Sequence, residues 1–143
     1  MLPLALALPL ALAGCAEAPT PVPQATGEPS MYRSLASPGA VVDADAARSM
    51  ISLYRANKGL GPLTVDPGLQ KVAEAQARTM AADGKISHDA HGSLTQRLSA
   101  AGYGKNTAVE NVSAGYHTLA EAFSGWRDSP PHNAHMLAKG IKR

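Results

Sequence analysis

Cysteine is nearly absent: the 143-residue chain has one, Cys15, so no disulfide can close within it. Stability must therefore come from a packed core. Aromatic residues are scarce as well, at 4%, which leaves Ala, Leu, Val, Ile and Met to fill that core. Neither sign of charge dominates. The net charge is +2, Lys and Arg are spread singly apart from Lys142-Arg143, and there is no basic stripe. That excludes a nucleic-acid-binding surface. No H-E-x-x-H, Gly-x-Ser-x-Gly, phosphate loop or dinucleotide fingerprint occurs, so no short motif announces an enzyme. The one long apolar run, Met1 to Gly14, is shorter than the roughly 20 residues a membrane-spanning helix needs.

That run contains only Leu, Ala, Pro, Gly and Met, and it suits the apolar part of an export signal. It closes on Leu12-Ala13-Gly14-Cys15, which resembles the bacterial lipobox. Cleavage would leave Cys15 as the new N-terminus, its thiol carrying a lipid. The alternative is a simple secretory signal with an incidental cysteine. From Ala16 to Gly39 the chain carries Pro19, Pro21, Pro23, Pro29 and Pro38 among Ala, Thr, Ser and Glu. Such a composition cannot bury enough surface to fold, and the prolines keep it extended. Residues 1–14 thus read as a leader, 15–39 as a lipidated cysteine plus a disordered tether, and 40–143 as one small domain.

The domain is patterned mainly for helices. Ala47, Met50, Ile51 and Tyr54 form an apolar stripe on a helix starting at Asp43 or Asp45 and ending before Gly59. Asp66-Pro67 is an N-cap with proline in the first helical position. Leu69, Val72, Ala73, Ala77 and Met80 line the inner face of that second helix, which Asp83-Gly84 ends. Ser93 and Gln96 have capping-box spacing for a short helix from Leu94 to Ala101. A second box, Thr118-x-x-Glu121, opens a helix bearing Phe123 and Trp126; Ser129-Pro130-Pro131 breaks it and starts a further turn or two through Leu137. Val109 to Gly115 is the best strand candidate.

Candidate chemistry lies in three separated segments. His88 sits in a Gly-bounded loop, Ser87-His88-Asp89-Ala90-His91-Gly92, where the His88/His91 spacing is weak support for a metal site and His91 reads as a bystander. Glu110 enters an otherwise small, apolar segment, where an unpartnered carboxylate would be costly if buried. It is either a surface Glu or a carboxylate facing His88 or His132. Asn111 reads as a residue that holds the turn through backbone hydrogen bonds. His132 and His135 repeat the i, i+3 spacing after Pro131, with His132 favoured by its constrained helix entry. Ser87 and Ser129 read as a turn residue and a cap.

Taken in order, these segments resemble the CAP superfamily, the SCP domain of cysteine-rich secretory proteins, antigen 5 and pathogenesis-related 1. The resemblance runs from Ile51-Ser52-Leu53-Tyr54-Arg55 through Asp66-Pro67, Ser87-His88, Arg97 to Tyr103, Val109-Glu110-Asn111-Val112 and Trp126 to His132. It is strongest to the bacterial, disulfide-free branch. It implies an α+β fold, a three-layer α-β-α sandwich, whose C-terminal sheet strands would follow Gly140-Ile141 and are missing from this chain. It also implies a cleft formed by His88, Glu110 and His132, with Ser129, His135 and Asn111 as additional candidates, holding a divalent metal, zinc first. Two departures stand out. Ser129 occupies the place of a second glutamate, and His135 stands where Asn or Gln is usual.

The expected function is a membrane-tethered, extracytoplasmic binding module, a monomer anchored in the cell envelope through Cys15. Its cleft would take a metal, lipid, small-molecule or protein ligand, and no nucleic acid. The rivals are a metal-dependent hydrolase with Glu110 as general base, and a cell-envelope interaction protein.

Overall fold

The computed structural model describes residues 27–104 and 107–143. Five helices follow one another: α1 (Ala44–Ala56), α2 (Pro67–Asp83), α3 (Leu94–Ala100), α4 (Leu119–Asp128) and α5 (Pro130–Met136). The first four begin at side-chain caps. The Asp43 carboxylate accepts the Ala46 N–H at 2.9 Å, and that of Asp66 accepts those of Gly68 and Leu69 at 2.9 and 3.1 Å. Ser93 and Gln96 form a reciprocal capping box. On α4 the box is displaced by one residue: Thr118 accepts from Glu121 N, but the Glu121 carboxylate reaches back to His117 N. Helix α2 stops at Gly84, whose φ of 62° is a left-handed conformation that glycine adopts freely.

Helices α1, α4 and α5 pack together, and α2 packs on α3. Tyr54 meets Phe123 edge-to-face across α1 and α4, with ring centroids 5.7 Å apart. The apolar interior is thin: Leu98, Leu119, Ala122 and Met136 are its fully buried hydrophobic members among the described residues, beside the buried polar Ser52, Arg55, Gln76 and Arg97. Those polar residues do the joining. Arg55 donates to the carbonyls of Gly61, Met136, Ala138 and Ile141 at 2.9, 2.8, 3.0 and 3.2 Å, tying α1 to the chain on either side of α5's end. Ser52 accepts the Leu63 N–H at 3.0 Å.

The expected α+β sandwich is not what forms. The described residues are helical with no strand, and the one bridge pairing among them is the isolated Ala90–Gly92. The strand expected at Val109–Gly115 is irregular. A strand exists only as half of a ladder, and here no second described segment supplies the other half. Thr64 N to Lys142 O and Leu35 N to His117 O, at 2.9 and 2.7 Å, are single bonds between non-helical segments. No backbone N–H of residues 107–116 donates to a carbonyl among the described residues.

Residues 27–39 fall in the stretch expected to be a disordered tether. Ser30–Tyr32 form a 3-10 turn there, which packs on α4 and α1. The leader and Cys15 lie outside the described residues.

Candidate functional site

The site is assembled around Arg97. This residue follows Leu94 by three positions, so helical spacing puts it on the same inward face as Leu94 and Leu98. It is 6% exposed. Its guanidinium forks onto Glu110, with bonds of 2.8 Å to Oε2 and 3.0 Å to Oε1. The remaining donors reach back to the loop before α3, to the Gly92 carbonyl at 3.0 Å and the His88 carbonyl at 3.0 Å. A bidentate guanidinium of this kind holds a carboxylate in one plane.

His88 Nδ1 lies 2.9 Å from Glu110 Oε1. An ionised carboxylate only accepts, so Nδ1 must be the donor. The neutral ring is thereby assigned a lone pair on Nε2. The His88 side chain is 55% exposed, whereas that of Glu110 is 14% exposed. The carboxylate is therefore set behind the ring, and the ring faces outward.

Asn111 joins the same segment to α5. Its amide donates to the His132 carbonyl at 3.1 Å and accepts from His135 Nδ1 at 2.9 Å. Because Nδ2 is spent on a carbonyl, Oδ1 is the acceptor, and the neutral His135 ring also keeps its lone pair on Nε2. Ser129 does not cap α5. Its hydroxyl lies instead 2.9 Å from His132 Nδ1, and Pro130 and Pro131 lower the demand for a cap by removing two N–H donors. Tyr54 donates to Asn133 at 3.0 Å and steadies the same helix against α1.

The expected residues thus fall into two linked groups: His88 with Glu110, and Asn111 with His132, His135 and, through His132, Ser129. The His132 ring makes no hydrogen bond to Glu110. His91 belongs to neither group; its N–H donates to Gln76 Oε1 at 3.0 Å and its ring approaches Thr79. Arg97 and Gln76 are the two site-building residues that sequence reasoning missed. Both are marked in the pattern, as polar residues on otherwise apolar helical stripes: Gln76 four residues after Val72 and four before Met80, Arg97 beside Leu98.

Arg97, Glu110 and Asn111 also form one wall of a groove of about 820 Å³, completed by Leu69, Val72 and Leu98 among others. The histidines stand outside it. Among the described residues no three His, Cys, Asp or Glu side chains are grouped so as to hold a metal ion. Glu110 has Oε1 taken up by Arg97 and His88 and Oε2 bonded once, to Arg97, which leaves Oε2 one lone pair. The imidazoles of His88 and His132 each have Nδ1 held by an outer partner and Nε2 unengaged, as an oriented metal-binding ring does; Glu110 sets the His88 tautomer, whereas the Ser129 hydroxyl can donate to His132 or accept from it.

The chain is also similar to known proteins. The model of the cysteine-rich secretory protein family, CAP, matches residues 48–143, from within α1 to the last residue, and includes every residue of both groups. The chain belongs to the CAP family. It does so with a single cysteine. The uncharacterized protein YkwD of Bacillus subtilis (strain 168) is 31% identical over 85 residues, which is 58% of this chain and 33% of that protein. The crystal structure of an extracellular protein containing an SCP domain from Bacillus anthracis str. Ames matches with a TM-score of 0.65 at 25% identity, over 68% of this chain and 34% of that one. The chain therefore spans about a third of the length of each of these relatives.

Proposed function

We propose that this CAP domain is an extracytoplasmic binding module, tethered to the membrane through Cys15, whose outward imidazoles take a divalent cation or a small ligand. The observation that carries the reading is the chain of contacts Arg97–Glu110–His88, which presents His88 Nε2 as a lone pair on a half-exposed ring. His88 and His132 would hold the cation through Nε2, and Glu110 would orient His88 from behind. A bound cation would supply Lewis acidity at that position. The extracellular description of the Bacillus anthracis relative, together with the apolar leader ending at Cys15, supports an extracytoplasmic location.

The hydrolase reading is weaker on the same geometry. A general base needs a lone pair aimed at water, and the bonds from Arg97 and His88 leave Glu110 one lone pair, on Oε2, beside a guanidinium that disfavours taking up a proton.

The test is a zinc titration by calorimetry near neutral pH, with His88→Ala/His132→Ala run beside the unaltered chain. One-to-one binding that disappears in the variant is the expected result. Equal heats from the two proteins would overturn the metal reading.

A further inference from the structure

Gln76 is 1% exposed, the most completely buried side chain among the described residues, and it is polar. A buried amide is costly unless both its ends are hydrogen-bonded. Both ends of this one are spent on the loop that carries His88. Its Nε2 donates to the Ser87 carbonyl at 2.6 Å, and its Oε1 accepts the His91 N–H at 3.0 Å. The orientation of the amide is unambiguous, since a carbonyl must face the nitrogen and an N–H the oxygen.

The Ser87 carbonyl belongs to the peptide unit that enters His88, and the His88 carbonyl to the one that leaves it. Arg97 holds the second at 3.0 Å. Both peptide planes flanking the His88 Cα are thus captured, each by a buried side chain, one from α2 and one from α3. With the two planes fixed, the direction of the Cα–Cβ bond is fixed. Glu110, itself locked by Arg97, then fixes the ring.

We infer that Gln76 is a positioning residue for His88, acting with Arg97 to hold the loop so that Nδ1–H meets Glu110 and Nε2 faces outward. A leucine at this position would bury more apolar surface at the same point of the α2 stripe. What the amide adds is the set of the loop. The inference rests on the reading of His88 as the ligand-facing imidazole, but its test does not depend on a ligand.

The experiment compares Gln76→Leu and Gln76→Glu with the unaltered full chain. Gln76→Glu keeps the volume and the acceptor for His91 N–H but loses the donor to Ser87. Imidazole ¹⁵N shifts, recorded without metal on the neutral rings, report which nitrogen of each histidine carries the proton, and a zinc titration follows. The unaltered chain should show His88 protonated on Nδ1. Both variants should mix the two tautomers at His88, leave His117 unchanged, and bind zinc roughly tenfold more weakly, as loss of a ring-orienting contact does. Should Gln76→Leu fail to fold, Gln76→Glu carries the comparison. An unaltered His88 signal in the variants, or an equal change at His117, would overturn the inference. Tautomer mixing confined to His88 with no zinc binding by any of the proteins would uphold it and remove the metal reading alone.

Discussion

Arg55 and Arg97 are both buried, at 2% and 6% exposure, yet they are held in different ways. Arg55 has no carboxylate partner among the described residues and spends its donors on four backbone carbonyls. Arg97 shares its donors between two carbonyls and both oxygens of Glu110. A carbonyl has only a dipole to offer, so Arg55's charge is compensated by several small contributions from segments far apart in sequence. That is how a cation ties a fold. Arg97's charge is met by one full opposite charge, which fixes an ionisable group beside a histidine. That is how a cation builds a site. Burial of an arginine therefore says little about its role until its acceptors are named.

Breaking the two arginines in turn should separate the roles. Arg55→Met leaves four carbonyls without their donor and should be the most damaging change, about 4 kcal/mol or more at roughly 1–3 kcal/mol per buried group left unpaired. A urea midpoint shift smaller than that of Arg97→Met would reverse the ranking. Arg97→Met should cost about 3 kcal/mol by leaving Glu110 with its charge uncompensated. Part of that loss should return in Arg97→Met/Glu110→Gln, giving a coupling of roughly 1 kcal/mol in a double-mutant cycle. No carboxylate change should rescue Arg55→Met in the same way.

A milder contrast lies at the start of α2. A methyl group added at Gly68 would run into the Tyr103 hydroxyl, which is hydrogen-bonded to Asp66. Gly68→Ala should therefore lower stability by about 1 kcal/mol, against the gain a helical Gly→Ala change ordinarily brings. A higher melting temperature would show that Tyr103 moves aside freely.

The smallest expected effect is one of pH. The Tyr103 hydroxyl first, then the Leu69 and Gly68 N–H groups and the charge of Arg143, hold the Asp66 carboxyl below its ordinary 3.8. The same bond pushes the Tyr103 phenol above its ordinary 10.0. A depressed acid stabilises the fold above its unfolded value and loses that contribution as pH falls through the folded one. A raised phenol stabilises below 10.0 and loses its contribution as pH rises beyond it. Asp66→Asn should flatten the acid limb of a stability–pH curve; an unchanged limb would assign that limb to other carboxylates.

The helices were legible because their signals are local. Asp43, Asp66-Pro67, the Ser93/Gln96 box and Thr118 each act within a turn of chain, and each marks the observed start. The Val109–Gly115 strand was not, because β-pattern describes a willingness to pair and says nothing of whether a partner exists. The nearness of His88 to Glu110 is one of the arrangements the residues leave open, and the family resemblance implies it. Their dependence on Arg97 and Gln76 was missed although both sit at inward helical positions. An arginine or glutamine on an apolar stripe identifies a buried polar group but not its partners, and the partners here are mostly backbone carbonyls, which every residue possesses.

Residues 107–116 donate no backbone hydrogen bond to a described carbonyl, and within this stretch lie Glu110 and Asn111. What grips those two is side-chain contact: Arg97 and His88 on one, His132 and His135 on the other. Their amide protons should consequently exchange with solvent deuterium far faster than those of α2 or α4. Any occupant that strengthens the grip on Glu110 or Asn111 would slow exchange along the whole stretch. Isotope uptake there becomes a gauge of occupancy that works for a ligand of any chemistry.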